Sequence, residues 1–345
     1  MAKMARATGE SDATQGTPTR VVPIENSRVR KRGTVQKAPA LLLTAGVVLA
    51  TLTGCAPATG NDCDSPVSSG DASTLVDATG ALGSLKEVDF PTPLKTDTTQ
   101  VSTLIEGDGA RITDDQLVEM SFAFYNGTTG APVEEGAYSE AGIYLPSQLL
   151  PGMADSIACS TVGSRIAAVM TPADAFGEEG SAQLGVASND AVIMVADITD
   201  AFLAKADGTP TPVFESGFPS VVTAADGTPG ITVPKSDAPT ELKVATLKTG
   251  SGDKVSADDR VVVHYTGALW DDNSIFDTSW DDETPAVFSL DGIVPGLATA
   301  LEGKTVGSQI IAVIPAELAY GEQGSATIPA GSTLVFVVDI LGTVN

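Results

Sequence analysis

The chain has 345 residues, enough for two or three domains, and 42% of them are apolar, so it carries ample material for buried cores. Lys and Arg total 19 against 44 Asp and Glu, a formal charge of -25, and a surface of that sign repels phosphate backbones and anionic headgroups, which excludes nucleic acid as a partner. One histidine and three cysteines are too few for a His/Cys zinc site, a Cys-x-x-Cys redox pair or most His-based triads, so no metal and no cofactor is expected.

Charge is unevenly spread. Residues 1–54 hold eight basic and three acidic side chains, a net of +5, which leaves a net of -30 for the chain from Cys55 on. Arg28, Arg30, Lys31, Arg32 and Lys37 form a basic cluster, and Ala38 to Gly54 follow as an uncharged run of 17 residues that stops at a small-residue site. Residues 1–54 therefore read as an N-terminal extension and an export signal; the apolar run is at the short limit for a membrane span, and Thr44, Gly46, Thr51 and Thr53 dilute it. Leu52-Thr53-Gly54-Cys55 resembles the lipobox of bacterial lipoproteins. That resemblance implies cleavage before Cys55, a lipid on its sulfur, and an exported protein anchored at the outer face of the cytoplasmic membrane. Residues 55–84, dominated by Ala, Thr, Gly, Asp, Ser and Pro, read as a flexible tether. Cys63 in this stretch and Cys159 beyond it either oxidise to a disulfide outside the cytoplasm or stay as two thiols, and the sequence leaves both open.

Self-similarity organises the rest. Thr161 to Val169 matches Thr305 to Val313 at an offset of 144, Phe176 to Ala182 matches Tyr320 to Ala326 at the same offset, and Pro151-Gly152 matches Pro295-Gly296. One domain is expected twice, over residues 85–203 and 214–345, with a Pro- and Gly-punctuated linker over 204–213. In the second copy Val221 to Val233, with Asp226-Gly227 in its middle, reads as a hairpin, and Leu242 to Lys248 as a strand. Arg260 to Thr266 alternates, with Val261, Val263 and Tyr265 on one face and Val262, His264 and Thr266 on the other. Gly296 to Glu302 is the one good helix candidate, with Leu297 and Leu301 four apart. Gln309 to Ile314 is a further strand, and Leu334 to Leu341 sets Leu334, Phe336, Val338 and Ile340 opposite Val335, Val337 and Asp339, as a half-buried antiparallel strand. Strands curling over one short helix make an α+β domain with the helix on the concave face.

Five segments in order carry a family resemblance: Val262-Val263-His264-Tyr265-Thr266-Gly267, Phe276-Asp277-Thr278-Ser279, Ile293-Val294-Pro295-Gly296-Leu297, Ala319-Tyr320-Gly321 and Thr333-Leu334-Val335-Phe336. Together they resemble the signature of FKBP-type peptidyl-prolyl cis-trans isomerases across residues 240–345. The resemblance implies a half-open antiparallel barrel wrapped on a short helix, present here as two FKBP-like domains. It also implies a dry pocket in which Tyr265, Phe276, Ile293, Val294, Leu297, Ile328 and Phe336 surround a proline ring. Asp277 would sit at the pocket edge, and the Tyr320 hydroxyl and Ile293 N–H would donate to substrate carbonyls. Its substrates would be proline-containing exported polypeptides, with macrolide inhibitors as further ligands.

Two departures stand out: Leu297 takes the place where many family members carry tryptophan, and Ala286 falls near a position that is often aromatic. His264 points to the face opposite Tyr265 and reads as a structural polar residue. By offset, the first copy puts Phe122 at Tyr265, Val133 at Phe276, Glu134 at Asp277, Met153 at Leu297, Phe176 at Tyr320 and Met194 at Phe336. Those swaps remove hydroxyls, a ring and the short carboxylate, so this copy is expected to fold alike and isomerise poorly. The alternative to an enzyme is a chaperone-like lipoprotein with two polypeptide-binding clefts and little turnover.

Overall fold

A computed structural model of the chain describes residues 63–133, 138–177, 179–213 and 216–344. The expected signal, Cys55 with its lipid, and the start of the expected tether lie outside the described residues. In chain order, β1 (Asp77–Thr79) and β2 (Glu87–Asp89) form an antiparallel hairpin. The strands β3 (Gln100–Ile105), β4 (Val118–Asn126) and β5 (Gly142–Tyr144) precede helix α1 (Pro151–Ile157), and β6 (Arg165–Met170) and β7 (Val192–Ala201) follow it. These five strands make an antiparallel sheet in the order β3-β6-β7-β4-β5.

The short β8 (Thr209–Pro210) leads to a second hairpin of β9 (Ser220–Thr223) and β10 (Pro229–Thr232). Next come β11 (Lys243–Thr249), β12 (Arg260–Leu269), β13 (Ile275–Thr278) and β14 (Ala286–Ser289). Helix α2 (Pro295–Leu301), β15 (Gln309–Ile314) and β16 (Leu334–Val344) end the chain. The second sheet runs β13-β12-β16-β15-β11-β8, with β14 on the edge of β12 that β13 also uses. Each sheet carries one short helix, so the class is α+β with antiparallel sheets. Both helices start on proline, whose fixed φ suits a first turn and whose missing N–H would have had no partner there.

Two expectations need correction. The tether does not hold for 63–84: Ala72, Ser73 and Val76 are buried, and β1 and β2 pack Ala78 and Val88 against Val169, Ile193 and Val195 on the outer face of the first sheet. The hairpin β9–β10 does the same in the second sheet, where Ile231 and Val221 cover Ile311, Val313, Val335 and Val337. The repeat therefore begins inside the supposed tether, with β1 starting 143 residues before β9, and the boundary at 84/85 cuts through the first hairpin. A sparse hairpin with one apolar residue in each three-residue strand is stable only because the sheet beneath buries that face. The same covering corrects the half-buried reading of residues 334–341. Phe336, Val338 and Ile340 face the helix, Val335 and Val337 face the hairpin, and all are buried.

Residues 202–211 are bound along the second sheet. Leu203 N–H donates to Leu341 O, Ala206 N–H to Asp339 Oδ2 at 2.8 Å, Gly208 N–H to Gly307 O and Thr211 N–H to Leu247 O. Leu117, Leu145, Phe202, Val262 and Leu341 form one buried cluster that joins the two lobes. Cys63 and Cys159 form a disulfide, which resolves the alternative left open by the sequence. Cys159 sits just past α1 at φ 65°, and the equivalent residue past α2 is Gly303 at φ 74°. The first lobe thus accepts a strained backbone at that position where the second uses glycine.

Candidate active site

The concave face of the second sheet collects the predicted apolar residues. Leu297 from α2, Ile328 from the loop before β16, and Phe336 from β16 are buried and form the floor. Tyr265 from β12, Phe276 from β13, and Ile293 and Val294 ahead of α2 are half-buried and form the walls, in the same apolar cluster as the floor. Phe276 meets Phe336 edge to face with ring centroids 5.6 Å apart, and Tyr265 stands 6.3 Å from Phe336. Gly267 makes this possible: a Cβ there would lie 2.5 Å from Phe276 Cζ and 3.0 Å from Phe336 Cε1. Sequence reasoning missed Phe288 on β14, whose ring lies 5.4 Å from that of Tyr265. The alternation Ala286-Val287-Phe288 carried the signal, since Phe288 shares a face with Ala286 and supplies a ring two residues further on.

Polar groups stand at the rim. The Tyr265 hydroxyl donates to Asp277 Oδ2 at 2.6 Å, and Asp277 is exposed. Burial, and then the adjoining carboxylate, push the Tyr265 phenol well above the usual range, so it stays protonated and holds Asp277 in place. Tyr320 is 42% exposed, directly before a short 3-10 turn at Gly321–Gln323. The Ile293 N–H, at the end of the turn Leu290–Gly292, has no backbone acceptor among the described residues. A carboxylate tethered by the Tyr265 hydroxyl, with Tyr320 near enough to act on that phenol electrostatically, therefore borders an apolar bowl.

His264 lies on the opposite face, as its place in the alternation predicts. It is buried, stacks on Trp280 with ring centroids 4.1 Å apart, and has Nδ1 2.8 Å from Ser279 Oγ. Burial holds its imidazole down to about 4, so it is neutral near pH 7. In the first lobe, Phe122, Phe124, Tyr144 and Phe176 form a chain of half-buried rings with centroids 5.2–6.1 Å apart, over buried Val133, Met153 and Met194. Phe124, opposite Met194, stands where the second lobe has Gly267 opposite Phe336, so the first lobe carries a ring at the position that the second leaves without a side chain. Glu134 lies outside the described residues.

An antiparallel sheet curled over one short helix, with an aromatic bowl and a carboxylate at its rim, defines a class of small α+β domains. Comparison with known proteins makes this specific. The family model for FKBP-type peptidyl-prolyl cis-trans isomerase matches residues 252–341. A Corynebacterium glutamicum protein named "Probable FK506-binding protein" is 34% identical over 113 residues, which are 33% of this chain and 96% of that one. The chain belongs to the FKBP-type peptidyl-prolyl cis-trans isomerase family.

The Aeromonas hydrophila FKBP-type peptidyl-prolyl cis-trans isomerase FkpA is 45% identical over 100 residues, 29% of this chain and 37% of that protein. The Escherichia coli FKBP-type 22 kDa peptidyl-prolyl cis-trans isomerase is 46% identical over 101 residues, 29% and 48% of the two chains. This chain thus spans less than half the length of both. The crystal structure of FkpA from Escherichia coli aligns with TM-score 0.29 and 36% identity over 38% of this chain and 53% of that one.

Proposed function

We propose that the protein is a peptidyl-prolyl cis-trans isomerase whose second lobe turns Xaa-Pro bonds in exported polypeptides. The observation that carries this reading is the bowl itself: seven residues predicted from separate segments, Tyr265 among them, lie in one apolar cluster, with the Tyr265 hydroxyl bound to Asp277 at its edge. Rotation about an Xaa-Pro bond meets a barrier of about 18–20 kcal/mol because amide resonance must be broken. The planar amide is more dipolar than the twisted one, so a water-poor apolar wall favours the twisted form without a covalent intermediate. Lowering the barrier by about 4 kcal/mol gives roughly a thousandfold. In this mechanism Tyr265 holds the Asp277 carboxylate beside the turning carbonyl carbon, and the Tyr320 hydroxyl and Ile293 N–H bind the flanking carbonyls. Macrolide inhibitors would compete for the same bowl.

The first lobe, in this reading, is a degenerate FKBP-like domain that does not turn over. Its ring-lined surface favours a second role, holding apolar stretches of unfolded clients, and the lipid on Cys55 would place both lobes at the outer face of the membrane. The full mature chain should accelerate a proline-limited refolding reaction, and Asp277→Ala with Tyr320→Phe should remove most of that acceleration. No acceleration by the wild type, or acceleration untouched by both changes, sinks the enzyme reading. Suppression of client aggregation that survives in the double variant but falls in Phe122→Ser/Phe176→Ser supports the holding role of the first lobe.

A further inference from the structure

The edge of β12 is shared by two strands, and Tyr265 falls in the gap between them. β14 pairs with Arg260 to Val263 and β13 with Thr266 to Ala268, so the ladder skips residues 264 and 265. Ser279, the first residue after β13, fills that gap. Its N–H donates to Tyr265 O at 3.1 Å, and its Oγ accepts the Tyr265 N–H at 2.9 Å. The same Oγ lies 2.8 Å from His264 Nδ1, and the His264 ring is clamped flat against Trp280. Ser279 is buried and only two residues from Asp277, so one hydroxyl links the main chain of Tyr265 to the strand that carries its carboxylate partner.

The first lobe shows what happens without the histidine. Ser139 makes the corresponding N–H bond to Phe122 O at 3.5 Å, Ser121 stands at the His264 position, and the buried Ser139 Oγ has no hydrogen-bond partner among the described residues. The lobe that lost the phenol at position 122 has thus also lost the hydroxyl contact behind it.

We propose that Ser279, held by His264, is a positioning residue for the isomerase: it fixes the Tyr265 main chain and so the alignment of the Tyr265 hydroxyl with Asp277. This rests on the function proposed above. A ladder gap left open would let the Tyr265 backbone move relative to β13, and a charge-assisted hydrogen bond weakens steeply with misalignment. The test compares kcat and KM of the full mature chain on a proline peptide for Ser279→Ala, Ser279→Thr, Tyr265→Phe and the Ser279→Ala/Tyr265→Phe double variant, with melting curves to confirm folding.

Ser279→Ala is expected to lower kcat/KM about tenfold, Ser279→Thr to restore most of it, and Ser279→Ala to cost less than about twofold once Tyr265 is Phe, because coupled residues are non-additive. Losses that simply multiply in the double variant, or a folded Ser279→Ala with wild-type kcat/KM, overturn the inference while leaving the enzyme reading intact. A wild type without turnover overturns the reading itself.

Discussion

Gly267→Ala isolates the space on which the bowl depends. Gly267 is absent from the positive-φ glycines, so alanine introduces no backbone strain there and only the added methyl is tested. That methyl would sit 2.5 Å from Phe276 Cζ, 2.8 Å from its Cε2 and 3.0 Å from Phe336 Cε1. Carbon atoms rest about 3.5–4.0 Å apart, so the Phe276 ring must retreat by about 1 Å. Retreat gives up the edge-to-face contact with Phe336, about 0.5–1.5 kcal/mol, and overpacking of this kind costs about 1–3 kcal/mol in all. Since the displaced ring is a wall of the site, kcat/KM should fall by about 10- to 100-fold, mostly through a raised KM, while the melting temperature drops by a few degrees. Proline-limited refolding rates at several substrate concentrations, read beside a thermal melt, measure both. Wild-type kcat/KM in a folded Gly267→Ala protein would refute the assignment of Phe276 to the wall.

The two lobes should answer differently to neutralising an equivalent buried carboxylate. Arg165 Nε lies 2.5 Å from Asp197 Oδ1 with both side chains fully buried, so Asp197→Asn leaves a buried guanidinium without its counter-charge and should cost about 3–5 kcal/mol in urea melts. Asp339 is buried against Gln309 Nε2 and the Ala206 N–H, with no ion pair to it among the described residues, and burial raises its pKa above the ordinary value, so Asp339→Asn should be neutral or stabilising at pH 7. The folded state favours protonated Asp339, so its contribution is fully present below the unfolded pKa of 3.8 and is lost as pH rises through the raised value. The stability difference between wild type and Asp339→Asn should widen over that rise, and a flat difference would rule it out. Reducing the Cys63–Cys159 bond, which closes a separation of 96 residues, should lower stability by about 4–5 kcal/mol. In a Cys63→Ser background Cys159→Gly should melt higher than Cys159→Ala by about 1 kcal/mol, because φ 65° suits glycine; equal melts would contradict it.

Much of the second lobe is legible in one dimension because its core obeys period two. Val261, Val263 and Tyr265, and Leu334, Phe336 and Val338, alternate so strictly that the concave face follows from the residue order, and five ordered segments name the family. The internal repeat is visible for the same reason: it preserves glycines and strand residues that backbone geometry requires. Other features belong only to the folded chain. The hairpin at 77–89 has too little apolar content to be seen until the sheet beneath buries it, and the pairing of Cys63 with Cys159 depends on where α1 ends.

Ser279, His264 and Trp280 come together only because β12 changes partners at Tyr265, and no periodicity records a gap in a ladder. Phe124 and Gly267 hold equivalent places in two strands, and neither local pattern tells that one adds a ring to a row of rings while the other gives room to Phe276. Local pattern determined which face each strand buries, because side-chain alternation is a property of the strand alone. Tertiary structure decided what lies across from each face, because contacts between distant segments are set by packing volume and by hydrogen bonds that no single segment contains.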